Sequence, residues 1–207
     1  MTTPAGFPML DLPYSTPPEA LIGPRVRLRL WRKADWDSLA QMLADPDVME
    51  HLMPVNGRAE SDAVAQRIER HFAAYGFGLW AMEVPGVSPF IGYTGLVHVP
   101  YAAAFTPAVE IGWRIQKAHW GHGYVSEAAR LALADAFTRF GLKEVVALTV
   151  PANTRSQAVM HRLGMTRDPA EDFDSPLVPS GHRLKRHVLY RLTRAAFEAQ
   201  PASSQHP

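Results

Sequence analysis

The chain has 207 residues, a length typical of one ordinary domain or at most two small ones. Its 47% hydrophobic and 20% charged residues are close to the averages for folded domains, which argues against disorder of the whole chain. The absence of cysteine excludes disulfides, thiolate zinc sites and a cysteine nucleophile. The net charge of +1 is smaller than the basic excess of a general nucleic-acid binder, so no nucleic-acid partner is expected.

The two ends of the chain differ in composition from the middle. Residues 1–22 are rich in proline, lack Lys and Arg and show no periodicity, which predicts an extended arm and not a signal peptide. Residues 198–207 predict a disordered tail, which leaves residues 23–197 as one domain. No apolar run reaches the roughly 18 residues of a membrane-spanning helix, so we expect a cytoplasmic protein without a membrane partner. Packing of the arm on its own domain and on a second subunit of a homodimer both stay open.

Between these ends, changes in hydrophobic period predict alternating strands and helices. Strict alternation over residues 25–30 predicts the first strand. Helices are expected over residues 34–43, before Asp45-Pro46, and over residues 60–75, before Gly76. The next three strands are expected near residues 78–84, 90–98 and 108–115.

The clearest helix is predicted over residues 124–140. Its apolar stripe at helical spacing comprises Val125, Ala129, Ala132, Leu133, Ala136 and Phe140. The opposite, polar side carries Glu127, Arg130, Thr138 and Arg139.

The C-terminal part predicts a short apolar strand at 145–150, buried on both faces, and a helix at 154–163. A weak strand after Gly164 and a last strand near 186–192 complete the order β-α-α-β-β-β-α-β-α-β-β. This order predicts an α/β fold, with a mixed sheet and helices on both of its faces.

The most informative segment, residues 110–124, predicts a strand, a glycine-bearing turn and the start of the long helix. Gly121 and Gly123 allow the backbone to approach a ligand closely, and the helix start adds free N–H donors with a partial positive charge. Together they predict a phosphate site. Neither the G-x-x-x-x-G-K-[ST] nor the G-x-G-x-x-G pattern occurs, so the common nucleotide loops are excluded. A purely structural turn and a turn for another phosphate ligand are the alternatives.

The residues around this turn resemble a known family. The pattern similar to the acetyl-CoA pyrophosphate loop of the GNAT N-acetyltransferase superfamily is Trp120-Gly121-His122-Gly123-Tyr124-x-x-Glu127-Ala128. The later segments that resemble its second cofactor-binding region are Asn153-x-x-Ser156 and Val159-Met160-x-x-Leu163-Gly164-Met165. The sequences of these motifs are similar to those of the branch that includes the bacterial ribosomal-protein N-terminal acetyltransferases. The resemblance covers residues 23–195 and implies a single domain whose mostly antiparallel sheet splays at the cofactor site.

The resemblance also implies acetyl-CoA as the co-substrate, with no metal. Pantetheine would lie along the strand residues Trp113, Arg114 and Ile115. The backbone that would hold the pyrophosphate belongs to His119, Trp120, Gly121, His122, Gly123 and Tyr124. Asn153 would hydrogen-bond the pantetheine arm, and Ser156 would lie near the thioester sulfur.

Two side chains are candidates for proton transfer. Glu110 leaves the apolar face of its strand and is the candidate base for the amine, with a structural pair to Arg114 as the alternative. Many superfamily members have a tyrosine that protonates the leaving thiolate, but the matching residue here is Met160, which cannot donate a proton. Ser156 is therefore the candidate acid, while a water and a capping role for Ser156 stay open.

Three histidines near the expected cleft need separate treatment. His98 is an alternative base or a buried structural residue. His119 and His122 flank the turn, but no nearby acid or cysteine completes a tetrahedral metal site, so no metal is predicted. His122 would assist a phosphate only when protonated.

The sequence thus predicts acetyl transfer from acetyl-CoA to a primary amine by direct attack. The acceptor is either a protein N-terminus or a small-molecule amine. Because Met160 replaces the tyrosine acid, a non-catalytic acyl-CoA-binding sensor or interaction module on the same fold is the alternative.

Overall fold

The computed structural model describes residues 9–201; residues 1–8 of the predicted arm and 202–207 of the predicted tail lie outside it. The helices are α1 (Asp35–Ala44), α2 (Pro46–Met49), α3 (Gly57–Tyr75), α4 (Tyr124–Arg139), α5 (Thr154–Arg162) and α6 (Arg194–Glu198). The strands are β1 (Ala20–Ile22), β2 (Arg27–Arg29), β3 (Leu79–Val84), β4 (Ser88–His98), β5 (Val109–Ile115), β6 (Glu144–Thr149), β7 (Thr166–Arg167), β8 (Phe173–Asp174) and β9 (Arg186–Thr193).

The strands form one nine-stranded sheet in the order β1-β2-β3-β4-β5-β6-β9-β7, with β8 paired to β9. Neighbours are antiparallel except for β5 and β6, so the predicted mixed, mostly antiparallel sheet is confirmed. Helix α4 packs along the sheet from β1 to β6, whereas α1 and α3 pack against each other. None of the helices within residues 9–201 is long and apolar enough to cross a membrane.

The sheet splits between β5 and β6. These two parallel strands meet at one register position, where Glu110 lies opposite Val146. On its other side β5 stays paired with β4 from Val109 to Ile115. Beyond Glu110 the edge of β5 that faces β6 is therefore unpaired, and the split opens toward the glycine turn. The predicted splay of the sheet is confirmed.

Helix α4 confirms the predicted apolar stripe, since all six of its side chains are at most 9% exposed. Glu127, which the sequence places on the opposite, polar side, is nevertheless buried, with only 2% of its surface exposed. Its carboxylate is buried against the chain before β2, where backbone N–H groups and an arginine satisfy it. A periodicity count treats a charged side chain as exposed and cannot register such partners.

Strand β6 is buried on both faces, as its apolar sequence predicts. Val145 and Ala147 belong to the main core, with α4 and β9. Val146 is buried on the other face with Val99 and Leu189, and this second apolar cluster lies beside Glu110.

The described part of the N-terminal arm lies on its own domain. The Tyr75 hydroxyl approaches Met9 Sδ at 3.7 Å, and Arg139 donates to the Ser15 carbonyl at 3.0 Å. Residues 20–22, which the sequence assigns to the arm, instead form the edge strand β1 against β2. This strand is too short for its period to register in the sequence.

The described part of the predicted tail is also in contact with the domain. Glu198 is the last residue of α6, and the Gln200 side-chain amide donates to the Leu163 carbonyl at 2.9 Å. The contact closes the end of α5, so the ordered chain extends beyond the predicted boundary at residue 197.

Candidate functional site

The glycine turn has the backbone geometry of an anion site. Gly121 and Gly123 have φ values of +81° and +80°, in the left-handed region that favours glycine, and Gly123 precedes the first residue of α4. The N–H groups of residues 121–126 make no hydrogen bond within the described chain. Several free donors therefore converge at the positive end of a 16-residue helix.

The free N–H groups begin two residues later than predicted. The N–H groups of His119 and Trp120 donate to Gln116 and Lys117 at 3.0 and 3.1 Å, inside a single 3-10 turn. They are therefore not available to a phosphate in this conformation. The exposed donors start at Gly121.

The buried Glu127 and the more exposed Arg25 hold the glycine turn against the rest of the domain. The Glu127 carboxylate accepts the backbone N–H groups of Arg25 and Val26 at 2.7 and 3.0 Å and Arg25 Nε at 2.8 Å. Arg25 Nη1 in turn donates to the carbonyl of His122 at 3.0 Å. The turn is thus held in shape by a residue 102 positions away from Glu127. The sequence predicts only that Arg25 begins the first strand, and it does not predict this role.

Three further contacts join other elements to the same turn. Trp120 Nε1 donates to the carbonyl of Ile115 at 3.1 Å, and the Arg155 guanidinium lies 4.4 Å from the Trp120 ring centroid. Arg155 belongs to the first turn of α5, so this contact spans the open end of the split. Lys117 Nζ forms an ion pair with Asp47 of α2 at 2.6 Å.

Asn153 and Ser156 form the start of α5. The Asn153 side-chain oxygen accepts the backbone N–H of Ser156 at 3.1 Å and so caps the helix. The capping residue is therefore Asn153, and the partly exposed Ser156 hydroxyl makes no hydrogen bond within residues 9–201. Met160 is 1% exposed and belongs to the main core.

Glu110 lies at the closed end of the split. The residue as a whole is partly exposed, but its carboxyl group is desolvated by the surrounding protein, which raises its pKa from 4.5 to about 7. The alternative pair with Arg114 is not formed, because the Arg114 guanidinium lies 5.5 Å from the Tyr93 ring centroid instead. Gly112 lies between Glu110 and Arg114 on the strand. A Cβ added to Gly112 would meet no atom within 4 Å, so open space adjoins the Glu110 carboxyl.

The carboxyl of Glu110 is suited to proton transfer near neutral pH. A pKa of about 7 leaves comparable amounts of the acid and the carboxylate at pH 7. Tyr101, from the loop between β4 and β5, has its pKa raised by burial and by the charge of Glu110. Its phenol therefore stays protonated near the carboxyl. The sequence did not indicate Tyr101, because loop residues carry no periodic signal.

The alternative assignment of base function to His98 is wrong. His98 is 6% exposed and lies one position after Val97, the partner of Glu110, so it points to the opposite side of β4. Its ring packs 4.6 Å from the Tyr75 ring and 5.0 Å from the Phe77 ring, and burial lowers its pKa. It is a core histidine.

His119 and His122, the two histidines of the turn, do not form a metal site with other described residues. His122 is exposed, and its ring centroid lies 5.5 Å from that of Tyr124. Burial is the main cause that lowers the pKa of His119. In the described part of the chain, no acidic side chain or further histidine joins them in a group of three.

A surface cavity of about 520 Å³ lies away from the predicted residues, beside the second half of α5. At its wall the Tyr190 hydroxyl donates to Gln157 Oε1 at 3.2 Å. The cavity contains none of the predicted site residues, and we place no part of the reaction there.

Comparison with known proteins gives the family. The family model of the acetyltransferase (GNAT) domain matches residues 25–166. Uncharacterized protein YkkB of Bacillus subtilis is 32% identical over 146 residues, which are 70% of this chain and 84% of that protein. FsC-acetyl coenzyme A-N(2)-transacetylase of Aspergillus fumigatus is 32% identical over 161 residues, which are 72% of this chain and 66% of that protein.

A solved structure shares the fold. RimJ of Mycobacterium smegmatis, in complex with CoA-disulfide, matches with a TM-score of 0.69 and 20% identity, and 90% of each chain is covered. The fold expected from the resemblance to the ribosomal-protein acetyltransferase branch is confirmed by this match. Together with the split sheet and the glycine turn, the family match leads to one conclusion: the chain belongs to the GNAT acetyltransferase family.

Proposed function

We propose that this protein transfers an acetyl group from acetyl-CoA to a primary amine. The observation that carries the proposal is the arrangement of the split between β5 and β6. Free backbone N–H groups lie at its open end, and the desolvated carboxyl of Glu110 lies at its closed end. A ligand with phosphates at one end and a reactive thioester at the other matches this arrangement.

The cofactor would be held mainly by backbone groups. The N–H groups of residues 121–126 would bind the pyrophosphate. Pantetheine would extend along the unpaired edge of β5, beside Trp113, Arg114 and Ile115. Asn153 retains its side-chain NH₂ as a donor for the pantetheine amides, since its oxygen caps α5.

The amine must be neutral when it attacks. An α-amino group has a pKa of about 7.7–8.0 and a lysine about 10.4, so both are largely protonated at pH 7. Glu110 in its carboxylate form accepts a proton from the amine, directly or through a water. The nitrogen then forms a bond to the thioester carbon, and a backbone N–H stabilises the oxyanion.

Collapse of this intermediate breaks the carbon–sulfur bond. The products are the N-acetylated amine and the CoA thiol. The original ammonium loses two protons: one replaces the proton that the donor gives to the sulfur, and the other leaves to solvent through Glu110. Ser156 is the candidate donor to the sulfur, since its hydroxyl has no competing hydrogen bond within residues 9–201. A water in the split is the competing donor.

Both classes of acceptor, a protein N-terminus and a small-molecule amine, fit this mechanism. One observation favours a second function, a non-catalytic acyl-CoA sensor or interaction module: Met160 fills the tyrosine position and is buried at 1% exposure. The cytoplasmic location and a homodimer stay predictions.

A thermal-shift titration with acetyl-CoA, compared with ATP and NAD, tests the cofactor. At about 100 times Kd, a ligand of the native state adds roughly 2.7 kcal/mol of stability. We expect a shift with acetyl-CoA alone, and no shift at millimolar acetyl-CoA would contradict the proposal. Thiol release with a panel of amines then separates an enzyme from a sensor, because a sensor binds acetyl-CoA without turnover.

A further inference from the structure

An apolar surface adjoins Glu110 on its own side of the sheet. Val146, the register partner of Glu110, is buried there with Val99 and Leu189. Tyr101 and Phe105, from the loop between β4 and β5, pack against this cluster and stay partly exposed. An acceptor that brings its amine to Glu110 therefore meets apolar side chains around the carboxyl.

Phe173 and His187 extend this surface into an aromatic wall, which comprises Tyr101, Phe105, Phe173 and His187. The Phe105 and Phe173 ring centroids are 4.9 Å apart, and Phe173 and His187 are 5.7 Å apart. Tyr101 lies 6.5 Å from Phe105 and 6.3 Å from Phe173. All four residues are partly exposed, so the wall is not a closed core.

The acids beside the aromatic wall are already neutralised. Each acid that flanks Phe173 forms an ion pair with an arginine, and these pairs are Glu171–Arg191, Asp172–Arg167 and Asp174–Arg186. Glu110, in contrast, forms no ion pair with a described residue. The wall therefore offers one uncompensated carboxyl group among apolar rings.

We propose that the acceptor is a hydrophobic monoamine, with its amine at Glu110 and its apolar substituent against the aromatic wall. This inference rests on the proposed function. One unpaired carboxylate matches one ammonium, and the rings match an aromatic or aliphatic substituent. The amine of a small molecule and the N-terminus of a peptide that begins with an apolar residue present the same chemistry.

Charge disfavours two other classes of acceptor. A polyamine brings a second ammonium to the wall, where the neighbouring acids are already paired with arginines. A free amino acid brings a carboxylate next to Glu110, and two nearby carboxylates repel each other. Both would leave a desolvated charge without a partner.

The test measures thiol release at saturating acetyl-CoA with five acceptors: 2-phenylethylamine, a Phe-Ala-Ala peptide amide, ethylamine, putrescine and phenylalanine. The two aromatic monoamines are 2-phenylethylamine and the peptide amide. We expect kcat/KM for at least one of them to exceed the kcat/KM values of the other three acceptors by about tenfold or more. The first two acceptors distinguish a small molecule from a peptide N-terminus.

Equal or faster turnover of putrescine or phenylalanine overturns this inference and leaves the proposed function intact. Acetyl-CoA binding without turnover of any amine also overturns it, in favour of a sensor. Absence of both binding and turnover removes the proposed function and this inference together.

Substitutions in the wall give an independent readout. We expect Phe173→Ala to lower the ratio of kcat/KM for 2-phenylethylamine to that for ethylamine by about tenfold, with acetyl-CoA affinity unchanged. Phe173→Leu should retain most of the ratio. A general folding defect lowers both rates together and leaves their ratio unaltered.

The matched control is Tyr14→Ala, an aromatic residue that is 58% exposed and outside the wall. It should leave the ratio unchanged. An unchanged ratio in both Phe173→Ala and Phe105→Ala would contradict the assignment of the wall to the acceptor.

Discussion

The two ends of the split sheet differ in how they are built. At the open end, backbone N–H groups are exposed, and the turn that carries them is fixed by Arg25 and Glu127 through short hydrogen bonds. At the closed end, Glu110 lies among apolar side chains without an ion-pair partner in the described chain. Phosphate binding and proton transfer therefore need opposite surroundings. Phosphates are bound by N–H donors that are already in position, whereas a carboxyl base acquires a pKa near neutrality through poor solvation.

The largest expected effect comes from removing the base at the closed end. Glu110→Gln should lower kcat by about 100-fold or more, because general base catalysis typically contributes that much, and should leave the Kd of acetyl-CoA nearly unchanged. Steady-state rates and a calorimetric titration measure the two quantities. Glu198→Gln, in exposed α6, is the control. Unchanged turnover of Glu110→Gln would remove this residue from the mechanism.

A smaller effect, confined to cofactor affinity, is expected at the open end. Arg25→Ala removes the guanidinium donors to Glu127 and to the carbonyl of His122, whereas the backbone donors to Glu127 remain, so the turn loses its side-chain support. The Kd of acetyl-CoA should rise about tenfold, since a hydrogen bond to a charged group contributes about 1.5–3 kcal/mol, with kcat at saturation little changed.

Arg27→Ala is a matched control for this variant. The two arginine side chains are similarly exposed, at 42% and 44%, and Arg27 lies 3.6 Å from Glu83, away from the turn. Equal losses of affinity in the two variants would show that Arg25 acts through general charge and not by positioning the turn.

The glycine turn allows a comparison at matched backbone strain. Gly121 and Gly86 have φ values of +81° and +78°, and neither has an atom within 4 Å of an added Cβ. Alanine at either position should therefore destabilise the fold equally, by about 1–2 kcal/mol. Only Gly121→Ala should weaken acetyl-CoA binding, by several-fold. Similar affinities for the two variants would place the phosphates elsewhere.

Glu110 should also make the stability of the protein depend on pH. Its carboxyl ionises near 4.5 when unfolded and at about 7 when folded, so the folded state holds the proton more tightly. Stability contributed by this group is complete below pH 4.5 and is lost as the pH rises to about 7. Glu110→Gln should therefore melt higher than the wild type at pH 8 and equally at pH 4. The same difference in melting temperature between the variant and the wild type at pH 4 and at pH 8 would argue against the raised pKa of Glu110.

The parts of the site that could be predicted lie close together in the sequence. The Gly121–Gly123 turn, the start of α5 near residue 154 and the apolar stripe of α4 each depend on residues a few positions apart. The side of the strand taken by Glu110 also follows from alternation. His98 was a wrong candidate because its position relative to the cleft depends on which face of β4 the helices cover.

The sequence by itself therefore determined the order of the longer strands and helices, the family and the residues of the glycine turn, because backbone conformation and periodicity are local properties. The short elements β1, α2, β8 and α6 were not predicted. Only the tertiary structure decided that Glu127 is buried against Arg25, that Ala20–Ile22 joins the sheet and that Tyr101 and Phe173 lie on one wall near Glu110. These contacts join residues far apart along the chain. Burial, and with it the pKa of Glu110, is set by such contacts and not by the neighbours in the sequence.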